Sequence, residues 1–568
     1  MKKLLLTPGF VWLLLLPSFF AAAQDAVPQG WHVRDLKTEG YYGISLNKAY
    51  EFLKQKKLKS VPVIVAVIDS GIDTLHEDLK SVLWQNPKEL PGNGIDDDKN
   101  GYIDDLHGWN FLGSNDGKAN VEKETFEAGR VYWSLKNKYE GLTASEVPPQ
   151  ERFEYDTWQR ARAELTKTDD SQPMRSDDIL MQMEVFRRGD QTIRKDLKKE
   201  VYTCKDLAGY KANSPFADHI RTVMLAMGEE EGETLTNTAF LEEINKYFSG
   251  ELDKAQSKTE PPKDYRKGVV NDNYKDINDK FYGNNNIYVT NEGAVHGTHV
   301  AGIIGAVRNN GLGIDGISDN VRIMSIRAVP DGDEYDKDIA LAIRYAVDNG
   351  ARVINMSFGK SYSPQKQWVD DAVKYADRKG VLMVHAAGND AKNVDTTFNF
   401  PSPSYLDGGK PVNWITVGAS GDEKAGGLTA SFSNYGKKSV DVFAPGVKIY
   451  STVPGGNTYR NLQGTSMASP VVAGLAAFIM SYYPALTATQ VKNIIEKTVS
   501  KPTQKVENPG NKELVSLSEL SVTGGIVNAY EAIKLASITK PLQPFVAPAK
   551  KPVAQKAPSK AKPAPKKK

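Results

Sequence analysis

Four short stretches of the chain carry residues that do chemistry in other settings, and they are widely separated. Ser466 stands in Gly464-Thr465-Ser466-Met467-Ala468-Ser469-Pro470-Val471-Val472-Ala473-Gly474. Gly464 permits a tight approach, and the small residues after it suit a helix. A serine at a helix N-terminus meets a partial positive charge that favours an oxyanion, although the same place suits a plain capping serine. His296 stands in His296-Gly297-Thr298-His299-Val300-Ala301-Gly302, which holds two of the chain's 7 histidines. His296 and His299 are also spaced as a metal pair, but the glutamate of the His-Glu-x-x-His zinc motif is absent. Asp69 follows Val65-Ala66-Val67-Ile68, and Asn389 follows Ala386-Ala387-Gly388. Each alone reads equally as a cap or turn residue. Together they offer what a serine hydrolase needs: a hydroxyl nucleophile, a base, a carboxylate to orient the base, and an amide donor for the oxyanion.

Those residues must be brought together by a scaffold, and the sequence patterning suggests one. Val61 to Ile68 is a continuous β-branched and apolar run, suited to a central strand buried on both faces. Similar runs recur at 321–329, 353–356, 381–386 and 414–417. Helical periodicity lies between them at 338–349 and 364–379. Strand and helix in alternation predict an α/β fold with a parallel sheet. Asp69 and Asn389 then fall at the carboxyl ends of strands, where sites form in such sheets.

Read together, the stretches resemble the subtilisin-like serine peptidase family. The resemblance rests on Val67-Ile68-Asp69-Ser70-Gly71, His296 to Gly302, Asn355-Met356-Ser357-Phe358-Gly359, Ala387-Gly388-Asn389 and Gly464 to Pro470, in the order Asp, His, Ser. It spans about residues 61–116 and 285–535. It implies a three-layer subtilisin-like fold with a mostly parallel central sheet, interrupted by a helical insertion. It implies a serine endopeptidase that works through an acyl-enzyme on Ser466, with His296 as general base, Asp69 as orienting carboxylate and Asn389 in the oxyanion hole. Ser357, Phe358, Gly359 and Gly388 would bind protein or peptide substrates in extended form. Phe358 and the Phe400-Pro401 region are candidates for setting side-chain preference. No cofactor is implied for catalysis. The resemblance also implies a structural calcium site at Asp78 and Asn309.

A second calcium candidate is read directly from spacing. Asp96, Asp98, Asn100, Gly101, Tyr102, Asp104 and Asp105 follow an EF-hand loop through its first nine positions. The twelfth position is His107 instead of Glu, so Asp104 or Asp105 would have to close the site.

The 568 residues suggest about two to four units. Residues 1–23 read as a signal peptide: Lys2 and Lys3, an apolar run, then Ala21-Ala22-Ala23. Export to the periplasm or the extracellular space is therefore expected, with no stable membrane span after cleavage. Residues 24–60 form an N-terminal extension with a helical stretch at 45–57 and no obvious inhibitory domain. Residues 61–115 and 285–535 hold the two parts of the catalytic domain. Between them, 116–284 reads as a set of amphipathic helices, either solvated decoration or a subdomain beside the site. Residues 541–568 are nearly all Pro, Ala, Lys, Gln and Ser, a disordered composition whose lysines can touch an anionic envelope surface. A net charge of +2 gives no reason to expect nucleic acid as a partner. The single cysteine, Cys204, excludes an intramolecular disulfide.

Overall fold

A computed structural model of the chain describes residues 27–166, 175–231 and 235–542. The expected signal peptide, and the tail beyond Leu542, lie outside the described residues. Seven strands form one sheet: β1 (Val63–Asp69), β2 (Gly108–Asn110), β3 (Val321–Arg327), β4 (Val353–Met356), β5 (Leu382–Ala386), β6 (Trp414–Ser420) and β7 (Val442–Pro445). Their order is β2-β3-β1-β4-β5-β6-β7, and every pair is parallel. An antiparallel hairpin of β8 (Ile449–Val453) and β9 (Thr458–Leu462) follows. The helices of ten residues or more are α1 (Leu46–Gln55), α2 (Glu127–Tyr139), α3 (Arg152–Thr166), α4 (Ser176–Leu197), α5 (Pro215–Glu231), α6 (Asn237–Gln256), α7 (Val295–Gly305), α8 (Asp336–Asp348), α9 (Lys366–Arg378), α10 (Thr465–Tyr482), α11 (Ala488–Lys497) and α12 (Ala529–Ile538).

Alternate strand residues face opposite layers, as the period of a strand requires. Val63, Val65 and Val67 of β1 pack with Val321, Ile323 and Val353 against α7, α10, α11 and α12. Ala66 and Ile68 pack with Met324, Ile326 and Ile354 against α8 and α9. The result is a three-layer α/β fold. Residues 31–53 belong to the first of these cores: Trp31 is fully buried and its indole N–H donates to the Val447 carbonyl at 3.0 Å. Among the described residues, α10 is the helix long and apolar enough to cross a bilayer, and 89% of its apolar window is buried inside the fold.

The helical stretch is built differently. Helices α4, α5 and α6 close around Phe186, Phe240 and Phe248, a core separate from those of the sheet. Cys204 is buried there, its thiol donating to the Met224 carbonyl at 3.2 Å. Helices α2 and α3 close around Tyr139, Tyr155 and Trp158. The helices occupy only 127–256. On either side, Val121, Val270 and Tyr282 pack into the core behind β3, so the flanking chain belongs to the sheet edge.

Candidate active site

Asp69 ends β1, and the segments Ser357–Gly359 and Gly388–Asn389 continue from β4 and β5. Three parallel strands thus deliver polar groups to one edge of the sheet. The His296 Nδ1–H donates to Asp69 Oδ1 at 2.7 Å, across 227 residues of chain. The direction follows from chemistry, since an ionised carboxylate only accepts, and it leaves Nε2 free to act as a base. Asp69 is 2% exposed and Oδ1 also accepts the Ser70 N–H at 2.8 Å. Helix α7 can approach this closely because position 297 is glycine. A Cβ there would lie 2.2 Å from the Gly71 carbonyl oxygen. His299, one turn on, is fully buried and its Nε2 bonds the Arg460 carbonyl. Burial pushes its pKa down to about 3, so it stays neutral. It packs away from His296, and no metal cluster among the described residues includes either.

Ser466 opens α10. Its Oγ–H donates to the Ser357 carbonyl at 3.1 Å. The Ser357 hydroxyl in turn donates to the Ser466 carbonyl at 2.8 Å and accepts from Asn355 Nδ2 at 2.9 Å. Ser469 Oγ donates to Asn355 Oδ1 at 2.8 Å. Asn355 is fully buried and ties the end of β4 to the first turn of α10.

The orientation of Asn389 is fixed by its neighbours. Its Oδ1 accepts the Thr465 backbone N–H at 2.8 Å and the Thr465 hydroxyl at 2.9 Å. A backbone N–H only donates, so that atom is the oxygen and Nδ2 points elsewhere. A Cβ built on Gly464 would lie 3.3 Å from Asn389 Nδ2 and 3.6 Å from the Ser466 backbone nitrogen. Two donors therefore flank one small space beside Ser466. Gly464 has φ 148°, and Gly388 has φ 99°, where a Cβ would lie 2.4 Å from Asn434 Nδ2. The Gly388 N–H donates to Thr465 Oγ1 at 3.0 Å.

Phe358 is half-buried, with its carbonyl held by His385 Nε2 at 2.9 Å. Gly359 is exposed. Across from it stands Asn399. Its Nδ2 donates to the Ala386 and Ala387 carbonyls at 3.3 and 2.8 Å, and its Oδ1 would lie 2.5 Å from a Cβ on Gly359. Asn399 thus closes the slot between the 357–359 and 386–388 segments, next to the buried Phe400. Asn399, Asn355 and Thr465 were not singled out from the sequence. Asn355 and Thr465 sit inside motif stretches whose flanking residues drew the attention, whereas Asn399 has no local signal and is identified only by where its loop folds.

The calcium candidates are placed as follows. Asp78 Oδ1 accepts Asn310 Nδ2 at 2.6 Å and Oδ2 accepts the Tyr459 hydroxyl at 3.3 Å. Burial raises its pKa. The structure pairs Asp78 with Asn310 rather than with Asn309, whose N–H goes to Asp315. In the 96–105 loop, Asp104 accepts the N–H groups of Asn93 and Gly94. Asp105 accepts Asn86, Asn100 and the Tyr345 hydroxyl, and burial pushes it up to about 6. Tyr102 N–H donates to Asn100 Oδ1. Asp105 thus reaches back to Asn100 of the loop, and Asp96 and Asp98 stay together with Glu89.

The helical stretch touches this edge on two sides. Tyr362 packs into the α2–α3 core, and its hydroxyl donates to Glu164 at 2.6 Å. Arg460 of β9 pairs with Glu243 of α6 at 3.4 Å.

The sequence profile of the subtilase family (peptidase S8) matches residues 62–515, and the chain belongs to that family. It is similar to the thermophilic serine proteinase of Bacillus sp. (strain AK1), 44% identical over 36% of this chain and 47% of that one. It is similar to the cell wall-associated protease of Bacillus subtilis (strain 168), 39% identical over 42% of this chain and 25% of that one. Subtilisin DY of Bacillus licheniformis is 41% identical over 37% of this chain and 72% of its own length. The matched stretch spans less than half the length of the first two relatives.

Proposed function

We propose that the protein is a serine endopeptidase that hydrolyses peptide bonds of proteins and peptides bound in extended form. The observation that carries this reading is the pair of donors, Asn389 Nδ2 and Ser466 N–H, flanking one space beside a serine at a helix N-terminus. On substrate binding Ser466 Oγ turns from the Ser357 carbonyl toward His296 Nε2. The proton passes to Nε2 as Oγ bonds the carbonyl carbon. The resulting oxyanion lies against the two donors, and Asp69 holds the imidazolium that has formed. His296 then gives its proton to the departing amine as the C–N bond breaks. Water repeats the sequence on the acyl-enzyme, with His296 again as base. Side chains and backbone suffice for every step, without a cofactor. Substrate backbone pairs with the exposed Gly359 edge, and Asn399 limits the depth of the slot. The test is Ser466→Ala against an unfolded protein substrate, with fluorophosphonate labelling in parallel. Wild type hydrolyses and labels; hydrolysis surviving unchanged in the variant overturns the assignment.

The signal-like N-terminus, and a matched relative that is a cell wall-associated protease, support a periplasmic or extracellular location. Fractionation of cells expressing the full chain tests that; activity confined to the cytosol refutes it.

A further inference from the structure

We propose that Glu89, Asp96 and Asp98 bind a calcium ion, with Glu89 adding a ligand from outside the 96–105 loop. One carboxylate oxygen from each residue lies within 4.8 Å of the others. Glu89 is 6% exposed; its Oε1 accepts the Asp98 N–H at 3.1 Å, and its Oε2 is buried with no partner among the described residues. A buried carboxylate oxygen left without a donor is costly unless a cation stands there. The Asp98 side chain is 2% exposed, and the one ammonium near it is Lys88 at 3.6 Å, itself 67% exposed. A solvated lysine does not offset three clustered carboxylates. Asp97, whose carboxylate accepts the Leu90 N–H and Asn93 Nδ2, adds further negative charge beside them.

The loop geometry is already that of a ligand cradle. Asp96 accepts the N–H groups of Asn100 and Gly101, and Gly101 makes the turn at φ 95°. These bonds hold Asp96 and Asp98 on the same side as Glu89. The donor set is oxygen only, which selects a hard cation over zinc, and an irregular loop suits calcium better than the strict octahedron of magnesium. Water completes the shell. Asn86 links this cluster to Asp105, and Asp105 to Tyr345 of α8. An ion here ties the loop to the sheet's edge layer. Leu90, Ile95 and Ile103 of the same loop are exposed, so an untied loop offers extended apolar chain to a protease.

The test uses chelator-stripped Ser466→Ala protein, so that self-cleavage is absent and failure of the proposed activity does not bear on the result. Calorimetric titration with CaCl2 is expected to show a site lost or weakened at least about tenfold in Glu89→Gln. The melting temperature is expected to rise with calcium in the parent and not in the variant. Asp104→Asn is expected to leave the affinity within about twofold. If Glu89→Gln does not fold, Asp96→Asn, at a partly exposed position, replaces it. No calcium heat in the parent, an undiminished response in Glu89→Gln, or an equal response to MgCl2 each overturns the proposal.

Discussion

The sheet region and the helical stretch at 127–256 solve different problems, and they are held by different forces. The sheet positions reacting groups through continuous apolar packing on both faces, and its critical approaches are backbone against backbone, as at Gly297 and Gly71. The helical stretch has two small cores of its own. It meets the sheet region through Tyr362, which packs into the α2–α3 core, and through charge. Lys360, next to the exposed Gly359, bonds Glu127 at 2.8 Å and Asp336 at 3.0 Å, with all three side chains nearly fully buried. On the far side, Arg460 and Glu243 meet at the surface. A buried pair is expensive to break, whereas an exposed one contributes little. The difference teaches that the helical stretch has a firm stem by Lys360 and a weak contact by Arg460.

The largest expected effect separates the two regions outright. Ser466→Ala lowers kcat by about 10⁶-fold, the scale known for a subtilisin, with no change in melting temperature. Replacing 131–256 by a short Gly/Ser linker, which keeps Glu127 and Arg130 beside Lys360, leaves fluorophosphonate labelling of Ser466 intact and shifts the preference between large and small protein substrates. The ends allow this, because a Cβ on Gly129 would lie 2.8 Å from Ser257 Oγ, so entry and exit lie side by side. Loss of labelling together with loss of fold in that deletion erases the distinction. Next, Asn389→Ala lowers kcat by about 10²–10³-fold, again the cost of such a donor in a subtilisin, with KM little changed in steady-state assays.

Stability changes sharpen the contrast at the stem. Lys360→Ala leaves buried Asp336 without its ammonium and Glu127 with Arg130 alone, and costs about 3–5 kcal/mol by denaturant titration. Glu243→Ala costs under about 1 kcal/mol. The last effect is read as a slope. Glu334 is buried beside Lys360, and burial pushes it up to about 8 from 4.5. Lys360 pulls it down, while Asp333 and Asp336 push it up further. A carboxyl raised in the folded state keeps its proton to higher pH than in the unfolded chain. Its contribution is therefore present below about pH 4.5 and is lost as pH rises toward 8. Glu334→Gln removes that decline, visible as a flatter stability profile between those values; an unchanged profile refutes it.

The parallel strands at the centre of the sheet were legible in the sequence because each is a dense β-branched run buried on both faces. β2 was not: Gly108-Trp109-Asn110 has no strand signature and becomes one only by pairing with Ser325 to Arg327. β9 was missed because its side chains are polar and half-exposed. The four candidate site residues were legible through motifs, which place them in sequence but not in space. What the motifs did not convey is the support: Thr465 setting the Asn389 amide, Asn355 tying β4 to α10, Asn399 filling the slot. Those are long-range contacts with no local periodicity. The boundaries 116 and 284 came from a change of composition, which reads solvation, and the flanks that pack behind β3 are polar enough to pass for the same segment.

Trp31 carries a consequence in time. It lies against Val447, and the Ile44 carbonyl accepts the N–H of Ala529 at the start of α12. Residues made early are thus seated against residues made some 400 to 500 positions later, with the core around the Ser466 helix between them. Contacts that distant form slowly and late. An incomplete chain, still threading from the ribosome or through a membrane, has no finished core behind Ser466. On the proposed reading, its own synthesis keeps the protease harmless until the chain has arrived where it is to work.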